Sequence, residues 1–342
     1  MSSGVPPRTR FLPVVLLVLF AATFPEVLSG STPVPVALTH PLGYAMLVGL
    51  YGGGAVLVWE ALARWRKGWL AVLPLGGAYG IAEEGLGTKV FTDPHQQQAI
   101  TGIAGSYGNW LGIQWVPLVG IDVFHAVISI GLGLLLLALL FPSLKGRSVV
   151  SDRGLVVDAV VFAAVVSLMF FTTDTDPLLP LAPALAFVSG VAIVFIAVGR
   201  YLPEARIAAL MRSPGPSASP RAFFWLAFGW LLPLLVLFQI GVHLVPWPAL
   251  IITLFLISAL GSLAFLVTRA GWHENRPHQV AFLGGLAAAF AVWDILIELL
   301  GDTGVLAVSA LLVGIVVWLW RHPEGLEGRT AHETAERASP AR

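Results

Sequence analysis

The sequence predicts an all-α fold, a polytopic bundle of about ten transmembrane helices, on three observations. Of 342 residues, 57% are hydrophobic and only 11% charged, where a soluble domain carries roughly 25% charged residues. Mean hydropathy is +0.86, and apolar runs near the ~20 residues that cross a bilayer core recur along the chain. Cationic residues fall between those runs in a strict alternation. The composition excludes an ordinary soluble enzyme and a disordered tail protein. Nineteen basic residues balance nineteen acidic ones, so no net field attracts a polyanion, and no nucleic-acid partner is expected. The chain has no cysteine, which excludes disulfides, thiolate metal sites and cysteine nucleophiles.

Spans are expected at residues 11–28, 42–63, 69–90, 114–141, 154–172, 180–199, 222–243, 249–268, 279–299 and 305–320. The first follows Arg8 and Arg10 and has two readings. It is either a retained helix ending near Glu26, or a secretory signal cleaved after Val27-Leu28-Ser29. The second stops at the basic cluster Arg64, Arg66 and Lys67, and the third at Asp93-Pro94. The fourth descends from Gln114 to Lys145, and the fifth follows Arg153. The sixth ends at Arg200, and the seventh opens after Arg221. The eighth and ninth flank Arg269 and Arg276, and the tenth, short enough to sit partly at the interface, stops at Arg321. With the N-terminus inside, 18 of 19 cations share one face and only Lys89 lies toward the other. Both termini are therefore expected to be cytoplasmic, in a multi-pass protein of the plasma membrane.

The run Ser213-Pro214-Gly215-Pro216-Ser217-Ala218-Ser219-Pro220 is expected to be a flexible cytoplasmic linker. Residues 213–221 would then divide an N-terminal unit of about six helices (1–212) from a four-helix unit (222–321) and a cytoplasmic tail (322–342). No internal repeat is evident.

Ionisable groups inside spans are costly and face a bundle interior or a wet cavity. Glu60 is expected to pair with Arg64 at i,i+4. Asp158 suits a helix start, and His243 meets water at a helix end. Six others share a depth in the outer half at 1.5 Å rise per residue: Glu83, Glu84, Asp122, His125, Asp294 and Glu298. Asp122 and His125 are i,i+3 and Asp294 and Glu298 are i,i+4, so each pair occupies one helix face. Gly76 and Gly80 form a small-xxx-small face for a close helix neighbour. Glu83 and Glu84 point about 100° apart, so one is expected in the pocket and the other on a neighbour. Lys89 is expected to snorkel outward. The outer loop through Tyr107, Trp110 and Trp115 is either an aromatic belt or a cap over the pocket.

Four pieces resemble an uncharacterised family of prokaryotic multi-pass membrane proteins: Glu26 to Pro33, Tyr51-Gly52-Gly53-Gly54-Ala55, Ala78 to Pro94 (AYGIAEEGLGTKVFTDP), and Phe124 to Ile130. The resemblance covers roughly the first 145 residues, supports a retained first span, and implies no activity. A weaker resemblance is to the CAAX-protease/Abi group of intramembrane proteases, which pairs glutamates on one helix with a histidine on a later one. Thr88 stands where that group has a basic residue, and His243 has no Asn or Asp four positions on.

Two carboxylates and a histidine suffice for a divalent metal such as zinc, for an activated water, or for acid–base work. The leading expectation is an intramembrane hydrolase acting on a membrane-embedded substrate. Glu84 would be the base, Glu83 a metal ligand or its support, His125 a metal ligand or oxyanion stabiliser, and Asp122 the group orienting His125. Glu84 and His125 are the expected metal ligands. The alternatives are a proton- or cation-coupled transporter or channel using the same residues, and a non-catalytic scaffold held together by them.

Overall fold

Proline marks where several helices begin. Its missing N–H and fixed φ suit the first helical turn, and it occupies that turn in six of the helices below. The structure, a computed structural model, describes residues 11–173, 181–211, 218–269 and 271–326. In chain order the helices are α1 (Phe11–Leu28), α2 (Val34–Thr39), α3 (Pro41–Trp65), α4 (69–87) and α5 (Pro94–Thr101). They continue as α6 (Trp115–Leu140), α7 (Asp152–Thr172), α8 (Leu181–Tyr201), α9 (Glu204–Met211) and α10 (Pro220–Leu244). The last are α11 (Pro248–Thr268), α12 (Arg276–Leu299) and α13 (Val305–Arg321). A hairpin of two-residue strands, β1 (Asn109–Trp110) and β2 (Ile113–Gln114), precedes α6.

The chain is thus an all-α polytopic membrane bundle, with eight helices among the described residues long and apolar enough to cross a bilayer. The two other expected spans are helical as well. α4 passes without a break from a 3₁₀ turn through α-helix into a π-helical turn, and α13 has 17 residues. Of the expected linker at 213–221, residues 213–217 lie outside the described residues, as does the expected tail (322–342) from residue 327.

One apolar core runs from Leu17 in α1 to Leu319 in α13. α10 packs along α12, α12 on α13, and α1 against α3 and the second half of α6. At the α10–α12 contact Gly285 is required, because a Cβ there would overlap the Phe224 carbonyl. α7 lies outermost, with no buried side chain and with Val156, Val157, Val160 and Phe171 exposed, as a lipid-facing helix requires.

Among the described residues, four helices contain a π-helical turn: Val48–Gly52 in α3, Ile81–Gly87 in α4, His125–Leu132 in α6 and Leu237–Gly241 in α10. Such turns insert an extra residue, shift the face that follows, and concentrate at functional sites. Three of the four meet at one place.

Two expectations change, one of a boundary and one of a side chain. α4 ends at Gly87, and Asp93-Pro94 opens α5, with the Asp93 carboxylate accepting from the His95 N–H at 2.8 Å. Lys89 does not snorkel. It is 3% exposed with φ +62°, its Nζ donates to the Thr173 carbonyl at 3.0 Å and lies 4.4 Å from the Phe170 ring centre. α7 approaches that part of α4 closely enough to enclose the ammonium.

Candidate functional site

The site begins with a close helix contact. A Cβ on Gly76 would stand 2.7 Å from Ala126 Cα, and one on Gly80 would stand 3.0 Å from His125 Cβ. α4 and α6 therefore touch through glycine. That approach sets the π-helical turn bearing Glu83 and Glu84 beside the one bearing His125. His125 Nδ1 lies 3.4 Å from Glu83 Oε2, and Nε2 lies 3.5 Å from Glu84 Oε1. The ring is 3% exposed, the Glu83 side chain 4% and the Glu84 side chain 12%. Both glutamates meet the histidine, rather than one facing away as the 100° spacing predicts. An imidazole presents a nitrogen on each of two edges, so two carboxylates on different headings reach it.

Two hydroxyls hold the cluster. Ser129, one turn after His125, shares a 2.8 Å hydrogen bond with Nδ1. The side chain hydrogen-bonded to Nδ1 is Ser129, where Asp122 was expected. The Thr88 hydroxyl donates to Glu84 Oε2 at 2.6 Å, fixing that carboxylate from its own helix. Asp122 lies close by, its two carboxylate oxygens beside Gly77 and Gly80, with Oδ1 buried and unpaired. Glu83 Oε2, His125 Nε2 and the Tyr79 hydroxyl are likewise buried without a hydrogen-bond partner. Buried polar atoms are nearly always satisfied. Four such unpaired atoms lie around this one ring.

Sequence reasoning missed three members. Tyr51 and Tyr79 flank the imidazole, with ring centres 6.0 and 5.7 Å from it and 5.7 Å from each other. The Tyr51 hydroxyl donates to Glu26 of α1, whose other carboxylate oxygen accepts from Thr32 at 2.6 Å. The signal was the run Tyr51-Gly52-Gly53-Gly54. A Cβ on Gly54 would overlap the Tyr79 ring, and one on Gly52 would crowd Val18 of α1.

The structure leaves Asp294 and Glu298 out of this group. Asp294 is fully buried and accepts a hydrogen bond from Ser309 of α13. Glu298 accepts from the N–H groups of Gly304 and Leu306 and caps α13. His243 is exposed near the end of α10. Glu60 does pair with Arg64, at 2.8 Å, and also accepts from Ser148 and the Val149 and Val150 N–H groups. The hairpin places Trp110 and Leu111 at an exposed tip.

Chemically, the cluster offers three donor atoms, one each from Glu83, Glu84 and His125, within 4.8 Å of one another. The carboxylate oxygens and the ring nitrogen can offer lone pairs to a cation, and the Tyr79 hydroxyl can also donate. A proton and a divalent metal both qualify.

The model of an uncharacterized membrane protein family matches residues 15–320. The chain belongs to that family. The match extends well beyond the 145 residues over which the motifs resemble it, and it gives no support to the protease likeness. No curated protein and no solved structure matches the chain.

Proposed function

We propose that the Glu83–His125–Glu84 cluster handles a cation inside the membrane, and that this family member moves protons, or a solute coupled to them, across its bilayer. One observation carries the reading: a buried imidazole with a carboxylate facing each ring nitrogen. With Nδ1–H turned to Ser129, the Nε2 lone pair faces Glu84. A proton held by Glu84 passes to Nε2. The imidazolium then releases its Nδ1 proton toward Glu83, and tautomer exchange resets the ring. Asp, Glu and His in such chains mark proton relays in membranes. Tyr51 and Glu26 lengthen the chain toward the end of α1. The burial of Glu83 and His125 suits a proton or a bare ion better than a peptide bond.

A second reading, a metal-dependent membrane hydrolase, has its own support in the three donor atoms within 4.8 Å. There Glu84, His125 and Glu83 would ligate a divalent ion that activates water. One preparation separates the two. Purified protein is assayed for bound metal, then reconstituted in vesicles with a trapped pH dye under a potassium diffusion potential. The relay predicts proton flux that falls on the order of tenfold or more in Glu84→Gln and His125→Ala, without stoichiometric metal. Bound zinc that disappears in both variants, with no flux in the parent protein, overturns the relay in favour of the metal. Parent protein with neither property leaves the cluster a packing network and overturns both.

A further inference from the structure

At the end of the bundle that gathers the α3–α4 loop, the loop after α6 and the α11–α12 loop, an apolar cavity of about 240 Å³ opens between the helices. At the liquid's share of roughly 30 Å³ per molecule it would hold about eight waters, yet its walls are Leu62, Val72, Leu135 and Phe282. Walls of this kind favour an apolar occupant over water. The inner end is formed by Ala126, Val127 and Gly131, on the same π-helical turn as His125.

The mouth has the opposite character. Lys67 and Lys145 stand there with Trp272 and His273. Each ammonium has three donors, and each gives one to a backbone carbonyl: Lys67 to Leu202 at 3.1 Å, Lys145 to His273 at 2.7 Å. Among the described residues, neither lysine forms an ion pair. The nearby acids are otherwise engaged. Glu204 accepts from the Gly68 N–H at 2.9 Å, and Glu274 sits 3.8 Å from His273. The indole N–H of Trp272, a residue only 8% exposed, is buried with no partner, as is His273 Nδ1. An indole nitrogen can only donate. Two cations and an orphaned donor around an apolar shaft therefore request a ligand with an anionic head and an apolar tail.

We propose that this cavity binds an anionic phospholipid, one acyl chain in the shaft and the phosphate against Lys67, Lys145 and the Trp272 indole N–H. Basic pockets between membrane helices hold lipid headgroups in this way. The inference is independent of the reading of the acid–imidazole cluster, although the acyl terminus would rest on the turn that carries His125.

The test is native mass spectrometry of the full-length protein in detergent, with added dioleoyl phosphatidylglycerol, dioleoyl phosphatidylcholine, oleate or inorganic phosphate. Phosphatidylglycerol is expected to be retained on the order of tenfold over phosphatidylcholine, and Lys67→Gln with Lys145→Gln to remove that preference. Ala138→Phe, which fills the shaft and leaves the charges in place, is expected to abolish retention. Both variants are compared at unchanged melting temperature; if Ala138→Phe does not fold, the lysine pair alone decides. Equal retention of the two phospholipids, or a phosphatidylglycerol adduct that survives Ala138→Phe in folded protein, overturns the proposal, because the lipid then binds only the outer surface. Oleate or inorganic phosphate binding in place of phosphatidylglycerol overturns it too.

Discussion

Ser129 holds the ring of His125, although nothing in its own reactivity suggests a role. Its hydroxyl sits 2.8 Å from Nδ1 and fixes the heading of the ring; where it accepts from Nδ1–H, the lone pair on Nε2 faces Glu84. Groups that orient a ligand or relay histidine typically contribute 10–100-fold to affinity or activity. Ser129→Ala is expected to lower proton flux, or metal affinity, by about tenfold while the melting temperature moves little; Ser129→Thr, which keeps the hydroxyl, should restore most of it. Glu60 is a different kind of acid. Its side chain is fully buried, and it accepts from Arg64, Ser148 and two backbone N–H groups. Removing it strands those donors, so Glu60→Ala is expected to destabilise the protein by roughly 3–5 kcal/mol. Thermal unfolding in detergent would read this, and an unchanged melting temperature would contradict it. The i,i+4 spacing disclosed the Arg64 partner; the Ser148, Val149 and Val150 partners, almost ninety residues away, have no local signature.

Between elements, the contact that matters is the one made by α4 and α6. The spacing of Gly76 and Gly80 announced a close neighbour but not which one, because two small residues four apart put a groove on one helix face. A Cβ on Gly76 would meet the Ala126 backbone, which cannot rotate away. Gly76→Leu is therefore expected to cost more than the usual 1–3 kcal/mol of overpacking and to separate Glu83 and Glu84 from His125. Gly190→Leu on α8, where no atom lies within 4 Å of the added carbon, is the matched control and should behave as the parent protein. Size-exclusion profile and melting temperature compare the two, and equal losses would discredit the contact. The partner of each acid was harder to foresee. Rise per residue gives height in the membrane, and by height Asp294 and Glu298 belonged with Glu83 and His125. Height does not say which helices touch, and α12 turns both acids toward α13. The π-helical turns add a second obstacle, since each changes the heading of every side chain beyond it.

For the molecule as a whole, the ten apolar segments were legible because a bilayer admits little else, and helices stand at all ten. What the sequence hid is that the first of them is part of the site. A carboxylate near the end of an apolar run reads as interfacial, and the run itself reads equally as a secretory signal. In the folded protein Leu17, Phe24 and Leu28 of α1 are buried in the common core, Gly52 of α3 lies against Val18, and Glu26 accepts from Tyr51 beside His125. In lipid, apolar surface gains little by association, so close packing and interhelical hydrogen bonds must hold α1 in place. Deleting residues 11–28 would remove both and leave the Tyr51 hydroxyl unpaired next to the imidazole. Glu26→Gln would keep the packing and change only the charge. The deletion is expected to lower the yield of monodisperse protein severely, whereas Glu26→Gln should fold normally and reduce proton flux several-fold. If the deleted protein instead folds and conducts as the parent does, α1 is an accessory helix and the relay ends at Tyr51. If Glu26→Gln alone is silent, α1 serves packing, and the proton path closes on Glu83, His125 and Glu84.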